Sequence, residues 1–324
     1  MAAPAGDPVE TVRQARADRP SAVPWRAVIV FVALAYGLAW LIALPMWLAP
    51  GVSTAALMML APALATLVVV LGMRVPGQQR LRSLGIWPLR PAKRIVWFLV
   101  AGLFAPVLLV FLTVAVSAAL GWIQLDLVHF SGFAEMNAAA LPSGTDAVSP
   151  QLLIAVQLAV IPIAAIIPNS ILAFGEEIGW RGWLLPALTP LGTWPALVLS
   201  GAIWGLWHMP VTLLGHNFGL TDWRGVALMT AGGVAWGVLL GWTRLRTGSV
   251  WPAVVAHGAL NASGGMVLWF FAAGTEPSLP LVNPMGVAGW IVLGVVIVVL
   301  ALTGQFRKQP TLAARPEHSA HAPR

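Results

Sequence analysis

Three short stretches of this chain place polar side chains inside otherwise apolar runs. In the first, Phe174-Gly175-Glu176-Glu177-Ile178-Gly179-Trp180-Arg181, two adjacent carboxylates close a long apolar segment, and an arginine follows four positions after the second. On a helix Glu177 and Arg181 share a face and can pair, whereas Glu176 is turned away by about 100°. Pairing neutralises Glu177 and leaves Glu176 a poorly hydrated carboxylate, of the kind suited to general-base work. An ion pair at a membrane edge beside a solvated glutamate accounts for the same residues. The second stretch, Trp204-Gly205-Leu206-Trp207-His208, sets one imidazole on an apolar helix, where packing explains it as readily as catalysis. The third, His257-Gly258-Ala259-Leu260-Asn261, aims two side chains at one point through its i, i+4 spacing. Both could donate to a developing negative charge. The plainer account is an interhelical polar clamp worth about 0.6 kcal/mol.

Taken together the three carry more than each alone. His129 and His216 fall in expected outer loops, and His318 and His321 in the C-terminal tail. The remaining histidines belong to these stretches, as do all the carboxylates within apolar runs. A base, an imidazole and a pair of donors are the parts needed for hydrolysis by activated water.

The elements that must position these groups are helices in lipid. Of 324 residues, 59% are hydrophobic and only 9% charged, against about 25% charged in ordinary soluble domains. Too few charges are present to cover a soluble core, and no run of short alternating segments suggests a barrel. Ionisable groups inside such spans cost on the order of 2.5–3.5 kcal/mol each, so they need a reason. A span takes about 20 apolar residues, and charge-free runs place spans near 27–49, 53–73, 95–122, 151–174, 196–214, 225–243, 250–271 and 285–304. The expected fold class is therefore all-α, a polytopic transmembrane bundle of about eight spans. Three regions follow: an N-terminal tail, 1–24; a transmembrane domain, 25–306, with its motif core at 173–265; and a C-terminal tail, 307–324. Both tails are rich in Pro, Ala and charge, and disorder is expected there.

Lysine and arginine set the orientation. With the N-terminus in the cytoplasm, Arg26, the basic 74–94 loop, Arg244, Arg246 and Arg307 all fall inside and only Arg224 outside, while Asp126, Glu135, Asp222 and Glu276 fall outside. The reading is N-in, C-in, multi-pass in the cell (plasma) membrane. The net charge of +7 does not indicate nucleic acid, because the basic residues sit in loops between apolar runs rather than on one face. With no cysteine, neither a disulfide nor a thiolate is available.

These residues resemble the CPBP family of intramembrane proteases, which includes the type II CAAX prenyl endopeptidases and bacteriocin-processing enzymes. That family is marked by Glu-Glu-x-x-x-Arg, Phe-x-x-x-His and His-x-x-x-Asn on successive helices. Here they read Glu176-Glu177-x-x-x-Arg181, Trp204-x-x-x-His208 and His257-x-x-x-Asn261, with tryptophan in place of the phenylalanine. The resemblance implies an intramembrane endopeptidase of CAAX-processing type acting on a membrane-associated protein or peptide. Glu176 would be the general base and His208 would help to hold the water. His257 and Asn261 would stabilise the oxyanion, with Glu177 and Arg181 organising the site. No cofactor is required on this reading. Were zinc present, Glu176, His208 and His257 would be its ligands, although no His-Glu-x-x-His motif occurs and Asn261 is a poor zinc ligand.

Two other classes remain open: a proton-coupled transporter using the same groups as a relay, and a non-catalytic peptide-binding or immunity protein. A serine protease using Ser263 with His257 has poor geometry, the two lying six residues apart on one helix. Depth supplies a last expectation. At 1.5 Å per residue His257 lies roughly 10 Å from the cytoplasmic face, whereas His208 lies roughly 21 Å deep if its span begins at Trp194. The two agree if 182–196 form an interfacial helix and the span begins near Val198. The cavity is then expected to open toward the cytoplasm.

Overall fold

The computed structural model describes residues 22–49, 51–140 and 148–307. Apart from residues 22–24 and 307, the tails expected to be disordered lie outside the described residues. Backbone groups in lipid have no water to bond, so each segment must satisfy its own, and helix does this. Among the described residues the elements are helical, with no β-structure beyond a single bridge between Leu125 and Phe271.

Eight helices occupy the eight apolar runs. They are α1 (Trp25–Leu48), α2 (Ala55–Gly72), α3 (Ala92–Ala119), α4 (Pro150–Leu191), α5 (Thr193–Trp207), α6 (Trp223–Thr247), α7 (Trp251–Ser263) and α8 (Leu279–Leu302, interrupted at 283–286). All except α5 and α7 are long and apolar enough to cross a membrane.

Successive helices run between two ends of the bundle, and side chains tie each end together. At one end lie the segment 73–91, the end of α4, the α6–α7 turn and the residues after α8. There Trp183 Nε1 donates to Val75 O at 2.8 Å, Arg244 to Ser83 O at 2.7 Å, and Val250 N to Gly85 O at 3.0 Å. At the other, Trp47 Nε1 donates to Pro210 O at 3.1 Å and Asn283 Nδ2 to Asn217 O at 3.0 Å, while Ala272 N bonds Gln124 O. The first carries the basic segment 74–94 and is called the basic end, and the second the far end.

Helix α4 departs from expectation. It does not stop near Phe174 but continues to Leu191, through two π-helical turns at Ala165–Asn169 and Ile178–Leu184. Pro168, which has no N–H to give, sits in the first of them. Such turns insert a residue and are frequent at functional sites. There is consequently no interfacial helix over 182–196. The break falls at Gly192, whose φ of +100° suits glycine, and α5 starts directly at Thr193. The depth conflict has another resolution. The start of α7 is recessed, because segment 80–91 folds over it and Val250 and Ala253 are fully buried there. Counting residues from the helix start therefore underestimates how deep His257 lies.

Small residues bring the site-bearing helices together. The 201/205 glycine pair of α5 meets Gly233 and Gly237 of α6, so the two backbones approach closely. A Cβ at position 205 would lie 2.6 Å from the Thr230 Cα, which cannot swing aside. Gly205→Ala is accordingly expected to destabilise the protein by about 1–3 kcal/mol. Thermal unfolding in detergent checks this, and an unchanged midpoint would contradict the close packing of α5 on α6.

Candidate active site

The three polar stretches converge. Glu176 from α4, His208 just past α5, and His257 and Asn261 from α7 all line one cavity of about 390 Å³. Glycines next to the functional residues permit this approach. A Cβ at Gly175 would strike Met59 O of α2, and one at Gly258 would strike Ala165 O of α4.

Glu176 is 2% exposed. Its Oε2 accepts hydrogen bonds from Trp204 Nε1 at 2.7 Å and from Trp180 Nε1 at 3.3 Å. An indole N–H can only donate, so a carboxylate oxygen is a fitting partner for both. One oxygen is thereby fixed between two donors. Oε1 has no hydrogen bond to any described residue and is free to engage a molecule in the cavity.

Behind Glu176 lies a buried ionic cluster that joins the cavity-lining His257 to Glu177 and Arg181, which do not line the cavity. Glu177 Oε1 accepts from Arg181 Nη1 at 2.7 Å and from His257 Nδ1 at 2.9 Å, with all three side chains nearly inaccessible. The Arg181 guanidinium also sits 4.4 Å above the Trp204 ring, a cation–π arrangement that gains strength away from water. Buried charges persist only when paired and hydrogen-bonded, and this cluster supplies such pairing. Glu177 thus orients His257 as well as Arg181, a link between α4 and α7 that spacing alone did not reveal. Because Nδ1 of His257 faces an acceptor, it carries the hydrogen, and Nε2 is the free ring nitrogen. The same holds at His208, whose Nδ1 donates to Trp204 O at 2.9 Å.

All six sequence-derived residues are therefore brought together, in two layers: Glu176, His208, His257 and Asn261 on the cavity, with Glu177 and Arg181 behind. Ser263 is not part of the site. Its hydroxyl donates to Ala259 O at 2.7 Å within its own helix and is fully buried. Trp204 and Trp180 are the residues sequence reasoning undervalued, taking position 204 for a packing aromatic. The available signal was only that a buried indole N–H needs an acceptor, and elsewhere in the bundle that acceptor is a backbone carbonyl, as for Trp207 on Ala35 O and Trp236 on Pro284 O. Trp204→Phe keeps the ring and removes the donor. A hydrogen bond to a charged group is worth about 1.5–3 kcal/mol, so turnover is expected to fall by roughly 10–100-fold with KM nearly unchanged. Wild-type turnover in that variant would mean the indole does not position the base.

As a zinc site the residues do not fit. Among the described residues no three His, Asp or Glu side chains are grouped so as to hold a metal ion, and Glu176 Oε2 is already taken by two N–H donors. No step below is routed through a metal.

The mouth of the cavity lies at the far end. Its exposed lining residues are Ala56, His216, Asn261 and Gly265, with Asn217 and Asn283 beside them. No lining residue of α4 lies beyond Glu176 toward the basic end, and none of α7 before His257. There the way is closed by Phe174 stacked on Trp251 at 5.1 Å and by the buried Arg181 and Arg244. The cavity is a blind shaft. The start of α1 and the finish of α8 lie at the basic end, opposite the exposed lining residues.

A search of curated proteins finds no match. A family model does match, over residues 152–263, and it is described as type II CAAX prenyl endopeptidase Rce1-like. That segment runs from α4 to the end of α7 and contains all three motifs. Residues 152–263 thus match the Rce1-like model, within an integral membrane protein of apolar helices.

Proposed function

We propose that this protein is an intramembrane endopeptidase in which Glu176 activates a water molecule in the shaft. The observation that carries the reading is the presence of Glu176, His208, His257 and Asn261 on one cavity wall system. The eight helices are read as eight crossings of a cell membrane, with both ends of the chain on one side.

In this mechanism Oε1 of Glu176 takes a proton from water while the oxygen of that water attacks the peptide carbonyl carbon. Nε2 of His208, bare in the neutral ring, accepts the second water hydrogen and fixes the direction of attack. Negative charge that forms on the carbonyl oxygen is met by Asn261 Nδ2 and by His257. Glu177 Oε1 holds Nδ1 and so aims the ring of His257, which donates to the oxyanion from Nε2 when both ring nitrogens carry a proton. The proton held by Glu176 then passes to the leaving nitrogen as the C–N bond breaks, and the base is restored. Low dielectric around the cavity strengthens each of these interactions.

The test is cleavage of a membrane-anchored peptide by the purified protein in bilayers. His208→Ala is expected to slow turnover by about 100-fold through loss of water placement, while chelator leaves the wild type active. Full turnover by His208→Ala would remove that residue from the mechanism. Loss of wild-type activity on chelation, restored by zinc, would replace the glutamate-only reading with a metal one.

A further inference from the structure

Asn169 belongs to none of the three motifs, and we infer that its Oδ1 holds the substrate by accepting a backbone N–H from an extended peptide in the shaft. That the peptide is cleaved rests on the proposed protease reading; its contact with Asn169 does not.

Asn169 stands in the first π-helical turn of α4, Ala165–Asn169, and lines the cavity. Its neighbours Ile166, Ile167 and Pro168 are exposed apolar residues of a membrane span. A polar amide in such a place is costly unless it is bonded. In an α-helix the N–H of residue 168 would serve Ala164 O, but proline has none. The π-turn brings residue 169 to that carbonyl instead, and Asn169 Nδ2 donates to it at 2.9 Å. A carbonyl can only accept, so the nitrogen is the end of the amide that faces the helix backbone. Oδ1 is the end left over, and no described residue donates to it. The proline thereby fixes the direction of an acceptor on the cavity wall.

Its register with the base is also fixed. From Ser170 to Glu177 α4 is regular α-helix. Seven residues at about 100° each return almost to the starting face, with a rise of roughly 10 Å. Asn169 and Glu176 therefore share a face of α4, and both line the shaft. The turn is pinned to α7 as well. A Cβ at Gly258 would lie 2.5 Å from Ala165 O and 2.6 Å from Ser170 Oγ, so the two backbones meet beside His257. The acceptor is held in one frame with the base and the oxyanion donors.

That acceptor answers a need of the proposed chemistry. Glu176 and His208 accept from the water, and His257 and Asn261 donate to the oxyanion, which leaves the peptide N–H groups unserved. Asn283, at the rim, has both ends of its amide committed, donating to Asn217 O and accepting from Met285 N. An extended chain advances about 3.3 Å per residue, so the N–H bonded by Asn169 lies about two to four residues from the scissile bond.

The test pairs a change in the peptide with a change at position 169. A membrane-anchored peptide is made as a set in which an ester oxygen replaces one backbone N–H at a time. At one position within that range the ester is expected to raise KM about 3–10-fold in the wild type, the worth of one hydrogen bond, with kcat nearly unchanged. In Asn169→Leu, which has no acceptor, the same ester is expected to change nothing. A residue that only repairs the helix would alter unfolding temperature without this dependence on one substrate N–H. Should Asn169→Leu fail to fold, Pro168→Ala/Asn169→Leu returns an N–H to Ala164 O and carries the same comparison. The inference is overturned if no ester raises KM in the wild type, or if the sensitive position stays sensitive without Asn169. Anisotropy of the same peptides, fluorescently labelled, on Glu176→Gln separates the two readings. Binding that depends on one N–H and on Asn169, with no cleavage by the wild type, keeps the contact and removes the protease; cleavage without that dependence does the reverse.

Discussion

Glu176→Gln is expected to lower peptide cleavage by about 10²–10⁴-fold, the usual contribution of a positioned general base, while leaving the protein folded. Glutamine preserves the shape of the side chain, and its carbonyl oxygen can still accept from Trp204 and Trp180, which hold Oε2 in the wild type. What it loses is the ability to take a proton from water. Cleavage rate and unfolding temperature, measured on one preparation, separate these two effects. Wild-type turnover in the variant would end the catalytic reading and leave a peptide-binding pocket in its place. A collapse of stability together with activity would show that Glu176 serves the fold, because the donors around it cannot tolerate even a neutral acceptor.

The second large effect is expected from Arg181→Ala. Glu177 is completely buried and depends on Arg181 at 2.7 Å and His257 at 2.9 Å. Removing the arginine leaves a carboxylate with half its partners and strips the cation from the face of Trp204. Breaking a buried pair from one side costs about 3–5 kcal/mol, enough to consume much of a typical folding free energy. The double variant Glu177→Gln/Arg181→Met discriminates between mechanisms. Removing both charges is often close to neutral for stability, so unfolding temperature should recover while cleavage does not, since His257 has lost the carboxylate that orients it. Recovery of cleavage along with stability would show that the cluster only holds the fold. A double variant as unstable as Arg181→Ala would contradict the account of an uncompensated charge.

How much of this was legible without coordinates follows from the range of each interaction. Composition and run length determine the helical, lipid-embedded class, because both are sums over local residue chemistry. The pairing of Glu177 with Arg181 is likewise local, one helical turn, and is found as spacing implied. The i, i+4 placement of His257 and Asn261 on one cavity is local in the same sense. Where expectation failed, the missing information was non-local. Whether α4 ends at Phe174 or runs to Leu191 depends on neighbours that accept its π-helical turns. The depth of His257 depends on a segment far away in sequence folding over the start of α7. That Glu177 reaches His257, and that Trp204 donates to Glu176, depends on α7 meeting α4 at Gly258 and on α5 packing against α6 through its glycines, contacts that no single segment encodes.

The sequence by itself determined which groups are available for chemistry and which end of the chain's loops is basic, since charge and residue type travel with the letters. Only the tertiary structure decided that these groups face a single blind shaft, and that its mouth lies away from the basic loops. Helix packing sets both, through contacts between residues far apart in the chain.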